Sequence, residues 1–288
     1  MTIKVLTNVR ADSYFLELWL RHYGSHFGRE NLHVMFDGDD WEPQTDLTGV
    51  KVHVVSDIPR ERLPRLRRTS IWQSNFANRL LKKGASVVLR TDIDEFVALD
   101  PGAGSSLPGF LEGLAADSMT AALGLDVVQA AGEGPLDPDR TILAQRRNAV
   151  ITREFSKLVA VRRPLRWMNG FHRGRDVPID LAPGLMLFHL NLFDTAVAER
   201  RIAERKAILE HATQATHIAR RLDRLAELDD SAPLPFDDVA ARAHQQIMVS
   251  LPSPTGPHPG RITGGNSPRG YHVLLPDRFA VLLPNPAP

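Results

Sequence analysis

The sequence predicts an α/β fold built on a largely parallel sheet. Apolar, β-branched runs alternate with amphipathic helical stretches over the first hundred residues. The 288 residues, 43% hydrophobic and 24% charged, suffice to bury one large core. The run from Ile3 to Val9 reads as a buried strand that stops at a loop. Asp12 is placed to cap a helix, whose apolar face carries Leu16, Trp19, Leu20 and Tyr23 and which Gly28 ends. Leu32 to Phe36 is a second strand, closed by Asp37, Gly38, Asp39 and Asp40, and Val50 to Val55 is a third. Arg65 to Leu81 is helical, with Ile71, Phe76, Leu80 and Leu81 inward and Lys82, Lys83 and Gly84 as its stop. Ser86 to Arg90 is a fourth strand, which gives the order β-α-β-β-α-β.

The second half is less regular. Thr120 to Gln129, Lys157 to Val161 and Gly184 to Leu190 read as strands. Phe193 to His211 reads as a solvated amphipathic helix with Asp194 as its cap. Ala131 to Arg140 and the Pro/Gly-rich Leu251 to Gly270 read as long loops. The expected organisation is a catalytic domain over 1–215, halved near residue 100, and a helical, Pro/Gly-rich extension over 216–288.

Composition excludes several function classes. Lys and Arg number 35 against 34 for Asp and Glu, so no bulk field draws the chain to nucleic acid or anionic membrane. There is no cysteine, which removes disulfide scaffolds, thiolate metal sites and cysteine nucleophiles and suits a reducing, cytoplasmic setting. No window approaches the ~18 apolar residues of a membrane span, and the N-terminus does not read as a signal peptide. No histidine falls in an HExxH or HxH pattern, so a zinc hydrolase has little support.

The most informative segment is SVVLRTDIDEFVAL, Ser86 to Leu99. An apolar strand carries Asp92 and Asp94 to its carboxyl end, the edge where open α/β sheets bind ligands. Extended alternation places the two carboxylates on one side and Ile93 on the other. Two carboxylates side by side repel unless a cation lies near them, and a hard divalent ion shared with substrate phosphates meets that need. Lys157 reads as a diphosphate contact or a strand-end lysine that snorkels. His172 and Arg173, in GFHRG, read as acceptor or diphosphate contacts or as a charged turn. Arg65, Arg67 and Arg68 read as a solvated face. The Gly-rich DPGAGSS, Asp100 to Ser106, lacks the Gly-Lys-Ser/Thr ending of a phosphate loop and reads as a connector.

Several segments together resemble a known family. NVRADSYFLELWLRHY is similar to the opening N-x-x-(D/E)-x-x-x-L-x-x-W-x-x-(H/Y) of bacterial family 2-like glycosyltransferases of the GT-A fold. VVLRTDIDEFVAL resembles their D-x-D-E-F metal loop, and IWQSNFANRLL the helix before it. FSKLVAVRRPLRWMNGFHRG and LMLFHLN resemble later elements, so the likeness spans roughly residues 3–210. It implies a three-layer α/β/α sandwich with a mixed, mostly parallel central sheet. It also implies a Mn²⁺- or Mg²⁺-dependent transfer from a nucleotide-diphosphate sugar to a saccharide or glycolipid hydroxyl, in surface polysaccharide or glycoconjugate synthesis.

By the same resemblance Asn8 and Arg10 lie by the nucleotide, and Asp37, with Asp39, lies at base or ribose. Asp92 faces ribose or metal, and Asp94 binds the metal. His189 is either a third metal ligand or a hydrogen-bonded core histidine. An inverting transfer also needs a carboxylate base, for which Asp126, Glu133 and Asp180 are the candidates. Two departures from the pattern stand out: Val87 or Val88 replaces the usual aromatic, and LGLDVVQ stands where W-x-x-F-G is expected. Two other readings compete. A haloacid-dehalogenase-like phosphatase or phosphotransferase also places D-x-D after an apolar strand, but on its first strand. A non-catalytic nucleotide-sugar-binding protein would share the site without turnover.

Overall fold

The computed structural model describes residues 2–59, 61–175, 177, 179–208, 232–249 and 270–284. Its opening follows the expected order: β1 (Ile3–Val9), α1 (Ser13–Phe27), β2 (Leu32–Asp37), β3 (Lys51–Val55), α2 (Arg62–Lys82) and β4 (Val87–Arg90). Asp12 caps α1 as its sequence position requires, with Oδ1 accepting from Phe15 N at 3.2 Å. Phe15, Leu16, Trp19, Leu20 and Tyr23 of α1 are buried against the sheet. Strands β3, β2, β1 and β4 run parallel in that spatial order.

The remainder adds β5 (Glu95–Leu99), α3 (Leu107–Glu112), β6 (Met119–Val128), β7 (Asn148–Ile151), β8 (Lys157–Val161), β9 (Asp180–Leu192) and α4 (Thr195–Ile208). Strands β10 (Leu234–Pro235) and β11 (Tyr271–Leu274) flank α5 (Phe236–Val249). β8 pairs antiparallel with both β4 and β6, and β9 pairs parallel with β6, so β6 and β9 run the same way as β4. The sheet is mixed and mostly parallel, as the α/β reading requires.

Strands β7 and β8 lie end to end along one side of β6, with residues 152–156 bulging between them. The bulge crosses directly over Gly124. A Cβ there would lie 2.2 Å from the Phe155 carbonyl carbon, so only glycine fits. Thr152 N donates to Gly124 O at 3.0 Å and Gly124 N to Ser156 Oγ at 3.0 Å. This crossing delivers Phe155 and Lys157 to the carboxyl edge of the sheet.

The expected extension over 216–288 does not stand apart where it is described. β11 pairs antiparallel with β7, and Arg278 forms a double ion pair with Asp100 at 2.8 and 3.0 Å. The Leu251 to Gly270 loop, apart from Gly270, and the end of the expected 193–211 helix lie outside the described residues. Among the described residues no helix is long and apolar enough to cross a membrane.

Candidate active site

The carboxyl ends of β1, β2, β4, β6 and β9 share one edge, and so do the starts of β5 and β8. This follows from the strand directions. The aspartate loop is a tight turn rather than an extended run, with Glu95 N donating to Asp92 O at 3.1 Å. Ile93 is still buried while Asp92 and Asp94 are half-buried, as alternation predicts. The turn, however, sends the two carboxylates to different partners.

Asp92 enters a buried network of ion pairs. One oxygen pairs with Arg90, and the other accepts from Lys157 Nζ at 2.6 Å. Lys157 Nζ also lies 2.5 Å from Glu95 Oε1. Arg90 Nε donates to Gln73 Oε1 at 2.6 Å, and Gln73 Nε2 donates to Asn8 Oδ1 at 2.7 Å. The Arg90 guanidinium sits 3.1 Å from the centroid of the Phe171 ring. Phe171 has φ +61°, a left-handed conformation rarely adopted by a large side chain, in the loop that carries His172.

Burial pulls the Asp92 pKa upward, yet the charges of Arg90 and Lys157 outweigh it and hold the carboxyl well below its usual range. Glu95 moves up instead, through burial and the negative charge of Asp92. Lys157 is held above its ordinary range: burial opposes its charge, but Asp92 and Glu95 favour it more. Burial, then the Lys157 charge, push His172 down to about 4, so it is neutral at pH 7.

Asp94 faces the other way. Its Oδ2 lies 3.1 Å from an Arg201 nitrogen and 3.9 Å from His189 Nε2. His189 Nδ1 is bonded to Asp126 Oδ1 at 2.8 Å, and the Phe155 ring stacks on the imidazole at 4.2 Å. This bond anchors one ring nitrogen and leaves Nε2 directed toward Asp94.

At the carboxyl end of β2, Asp37 is buried and pairs with Arg65 at 2.5 Å, and its backbone oxygen accepts from Arg10 at 2.6 Å. Burial raises its pKa against the pull of Arg65 and Arg10. Arg65 is therefore part of the site, not of a solvated face, because its helix starts at the same edge. Asp39 is exposed.

Asn8, Arg10, Asp37, Asp92, Asp94, Asp126, Lys157, His172 and His189 are thus gathered at one edge, and Arg173 follows in the same loop. Asp180 is not. It sits at the start of β9 opposite Thr120, six residues along β6 from the Asp126–His189 pair, about 20 Å away. Asp126 is bonded to His189, which makes it the orienting partner of the imidazole. Glu133 caps a loop, accepting from Ala130 N at 2.9 Å. Sequence reasoning does not single out Arg90, Gln73, Glu95 or Arg201. An arginine ending an apolar strand beside D-x-D is a usable signal for Arg90, whereas helical periodicity gives none for Arg201.

Among the described residues no three His, Asp or Glu side chains converge as a ready metal cage. Asp94 and His189 nonetheless lie within reach of one ion, because two ligand distances of about 2.1 Å together exceed their 3.9 Å separation. Asp92, occupied by Arg90 and Lys157, stands apart from that pair.

No family model and no curated protein matches the chain. Among solved structures it is similar to a 4-diphosphocytidyl-2C-methyl-D-erythritol synthase, with TM-score 0.30, 18% identity, and coverage of 47% of this chain and 66% of that one. It is also similar to a CMP:2-keto-3-deoxy-manno-octonic acid synthetase complexed with CTP, with TM-score 0.27, 12% identity, and coverage of 57% and 65%. A third is the mannose-1-phosphate geranyltransferase of Thermus thermophilus, with TM-score 0.30, 13% identity, and coverage of 96% and 74%. The chain thus spans just under two thirds of the first two proteins.

Proposed function

We propose that this chain is a metal-dependent glycosyltransferase that moves a sugar from a nucleotide-diphosphate donor to a hydroxyl of a saccharide or glycolipid acceptor. Surface polysaccharide or glycoconjugate synthesis, in the cytoplasm, is the setting that suits this reading. The observation that carries it is a pair of electron-pair donors facing each other at the carboxyl edge. Asp94 Oδ2 and His189 Nε2 stand 3.9 Å apart, and Asp126 anchors the imidazole through its far nitrogen. A carboxylate oxygen and an imidazole nitrogen that face each other are two groups that a divalent cation could share. One Mn²⁺ or Mg²⁺ held by Asp94 and His189 would leave coordination positions for a diphosphate. Such an ion supplies Lewis-acid stabilisation of the departing diphosphate.

The chain's own residues do the rest. Asn8, Arg10, Asp37 and Arg65 line the nucleotide end. Asp126 fixes the His189 ring, and Phe155 fixes its plane. Lys157 and Arg90 hold Asp92 ionised, which suits it to accept from ribose hydroxyls. His172 and Arg173 face the diphosphate or the acceptor.

Thermal shifts measured with UDP, GDP, CDP and their sugars, with and without Mn²⁺, test the reading alongside donor hydrolysis. Metal-dependent stabilisation by one nucleotide, lost in Asp94→Ala, is the expected result. No response to any nucleotide would sink it, and turnover of simple phosphate esters would favour a phosphatase instead.

A further inference from the structure

The Arg201 side chain joins four separated parts of the chain at one point. It comes from the second turn of α4 and is only 2% exposed. Its Nε donates to Asp12 Oδ2 at 2.8 Å, one terminal nitrogen to Asn191 Oδ1 at 2.6 Å and the other to Asp94 Oδ2 at 3.1 Å. The guanidinium lies 4.1 Å from the centroid of the buried Phe15 ring. Burial works against its charge, but Asp12 and Asp94 raise its pKa above an already high value, so it is a permanent cation. A cap of α1, the end of β9 and the aspartate loop are thereby tied to α4.

Asp94 Oδ2 thus sits between a fixed positive charge at 3.1 Å and His189 Nε2 at 3.9 Å. A divalent cation on that carboxylate shares it with a guanidinium that cannot lose its proton. Coulomb repulsion over this short range in a half-buried site is substantial. An incoming diphosphate changes the balance, because it brings negative charge and further oxygen ligands.

We propose that Arg201 is a positioning residue that makes metal loading depend on donor arrival. It orients Asp94, and its charge keeps the site's affinity for a bare divalent ion low until a nucleoside diphosphate supplies the missing anionic ligands. The proposal rests on the reading of Asp94 and His189 as metal ligands. It concerns how that pair is loaded, not whether it exists.

The test is Mn²⁺ binding to the full chain, followed by the electron paramagnetic resonance signal of free Mn²⁺, with and without UDP or GDP. In the wild type, Mn²⁺ alone binds weakly and the matching nucleotide tightens it at least tenfold. Arg201→Met removes the charge, so bare Mn²⁺ binds about tenfold more tightly and the nucleotide-dependent gain shrinks. Arg201→Lys keeps the charge but loses the planar fork. It therefore preserves weak bare-metal binding while kcat falls more than the donor KM rises. A circular-dichroism melt shows which variants remain folded. Should Arg201→Met unfold, the Arg201→Lys result and the wild-type nucleotide dependence still decide. Equal Mn²⁺ affinity in folded Arg201→Met and wild type would overturn the proposal and leave the metal reading standing. Tight Mn²⁺ binding to the wild type without nucleotide would overturn it as well. No Mn²⁺ binding by the wild type under any condition would overturn the metal reading, and the proposal with it.

Discussion

The carboxyl edge of the sheet and the side chains packed between β2, β3 and α2 both enclose ionisable groups, with opposite results. At the edge, Arg90, Lys157 and Arg201 are matched by Asp92, Glu95, Asp94 and Asp12, and the opposite charges hold Asp92, Lys157 and Arg201 in their charged forms despite burial. Under β3, His33 Nδ1 meets His53 Nε2 at 3.2 Å, and His53 packs 4.4 Å from the Phe76 ring, which stacks on Trp72 at 5.0 Å. The charges that act on this imidazole pair are those of Lys4, Lys51 and Arg79, all positive. Burial first, then His53 and the lysines, push His33 down to about 4, while burial and Arg79 lower His53. One region holds charge because counter-charge was built in with it. The other avoids charge because its neighbours would only repel it. The anionic, metal-bridged substrate proposed for the edge would call for the first arrangement; a packing cluster needs only the second.

The largest effect expected from this contrast is at Lys157. Lys157→Met leaves Glu95, buried to 1% exposure, and Asp92 with too little positive charge. Removing one partner of a buried ion pair costs about 3–5 kcal/mol. Urea denaturation at pH 7 should show a loss of that order. Lys157→Met/Glu95→Gln should recover more than half of it, since the second change removes the stranded charge. A loss below about 1 kcal/mol for the single variant would show that the network is solvated and that the contrast with the imidazole pair fails.

How much of this is legible in the sequence depends on whether a residue acts through its neighbours in the chain or across space. β1, α1 with its Asp12 cap, β2 and α2 are readable because periodicity and capping are local. Residues 157–161 form the expected strand for the same reason. β5 escapes the reading because its apolar run continues directly from the aspartate turn without a breaker. β7 and β11 escape it because short strands are defined by their partners more than by their own pattern. The same division runs through the site. Asp92, Asp94 and His189 stand out as unusual residues in apolar strands, but nothing local shows that Asp126 orients His189 or that Arg201 holds Asp94. Asp180 is a plausible base on type alone. The register of β9 against β6 puts it at the wrong end of the sheet.

The imidazole pair gives a second, smaller effect, with a definite sign. His33 has a folded-state pKa of about 4, below the ordinary value of 6.5. A base whose folded pKa is depressed takes up its proton more readily when unfolded. Stability present above pH 6.5 is therefore lost as pH falls toward 4. Discounted for partial solvent access, this amounts to about 1–2 kcal/mol. His22, lowered to about 3 by burial and His26, and His172, lowered to about 4, add losses of the same sign. Comparing wild type with His33→Gln by denaturation from about pH 7.5 to about pH 4 isolates the His33 share. The two curves should converge as the pH drops, because only the wild type gives up stability at this site. Parallel curves would mean that His33 titrates normally, and the neutral-imidazole side of the comparison would fall.

The smallest effect expected sharpens what burial contributes. Arg68 and Asp57 form an ion pair with the same chemical groups as Arg90 and Asp92, but their side chains are 45% and 60% exposed. Water solvates both groups with or without the pair, and ordering two long side chains offsets much of the attraction. Arg68→Ala should therefore cost under about 0.5 kcal/mol, and less still in roughly 0.5 M salt, where exposed pairs are screened. The buried network should hardly respond to that salt, because its charges meet low-dielectric surroundings rather than mobile ions. If Lys157→Met and Arg68→Ala proved equally mild and equally salt-sensitive, enclosure would not be what sets the carboxyl edge apart. The fixed charges there would then act on a substrate no more strongly than any surface arginine.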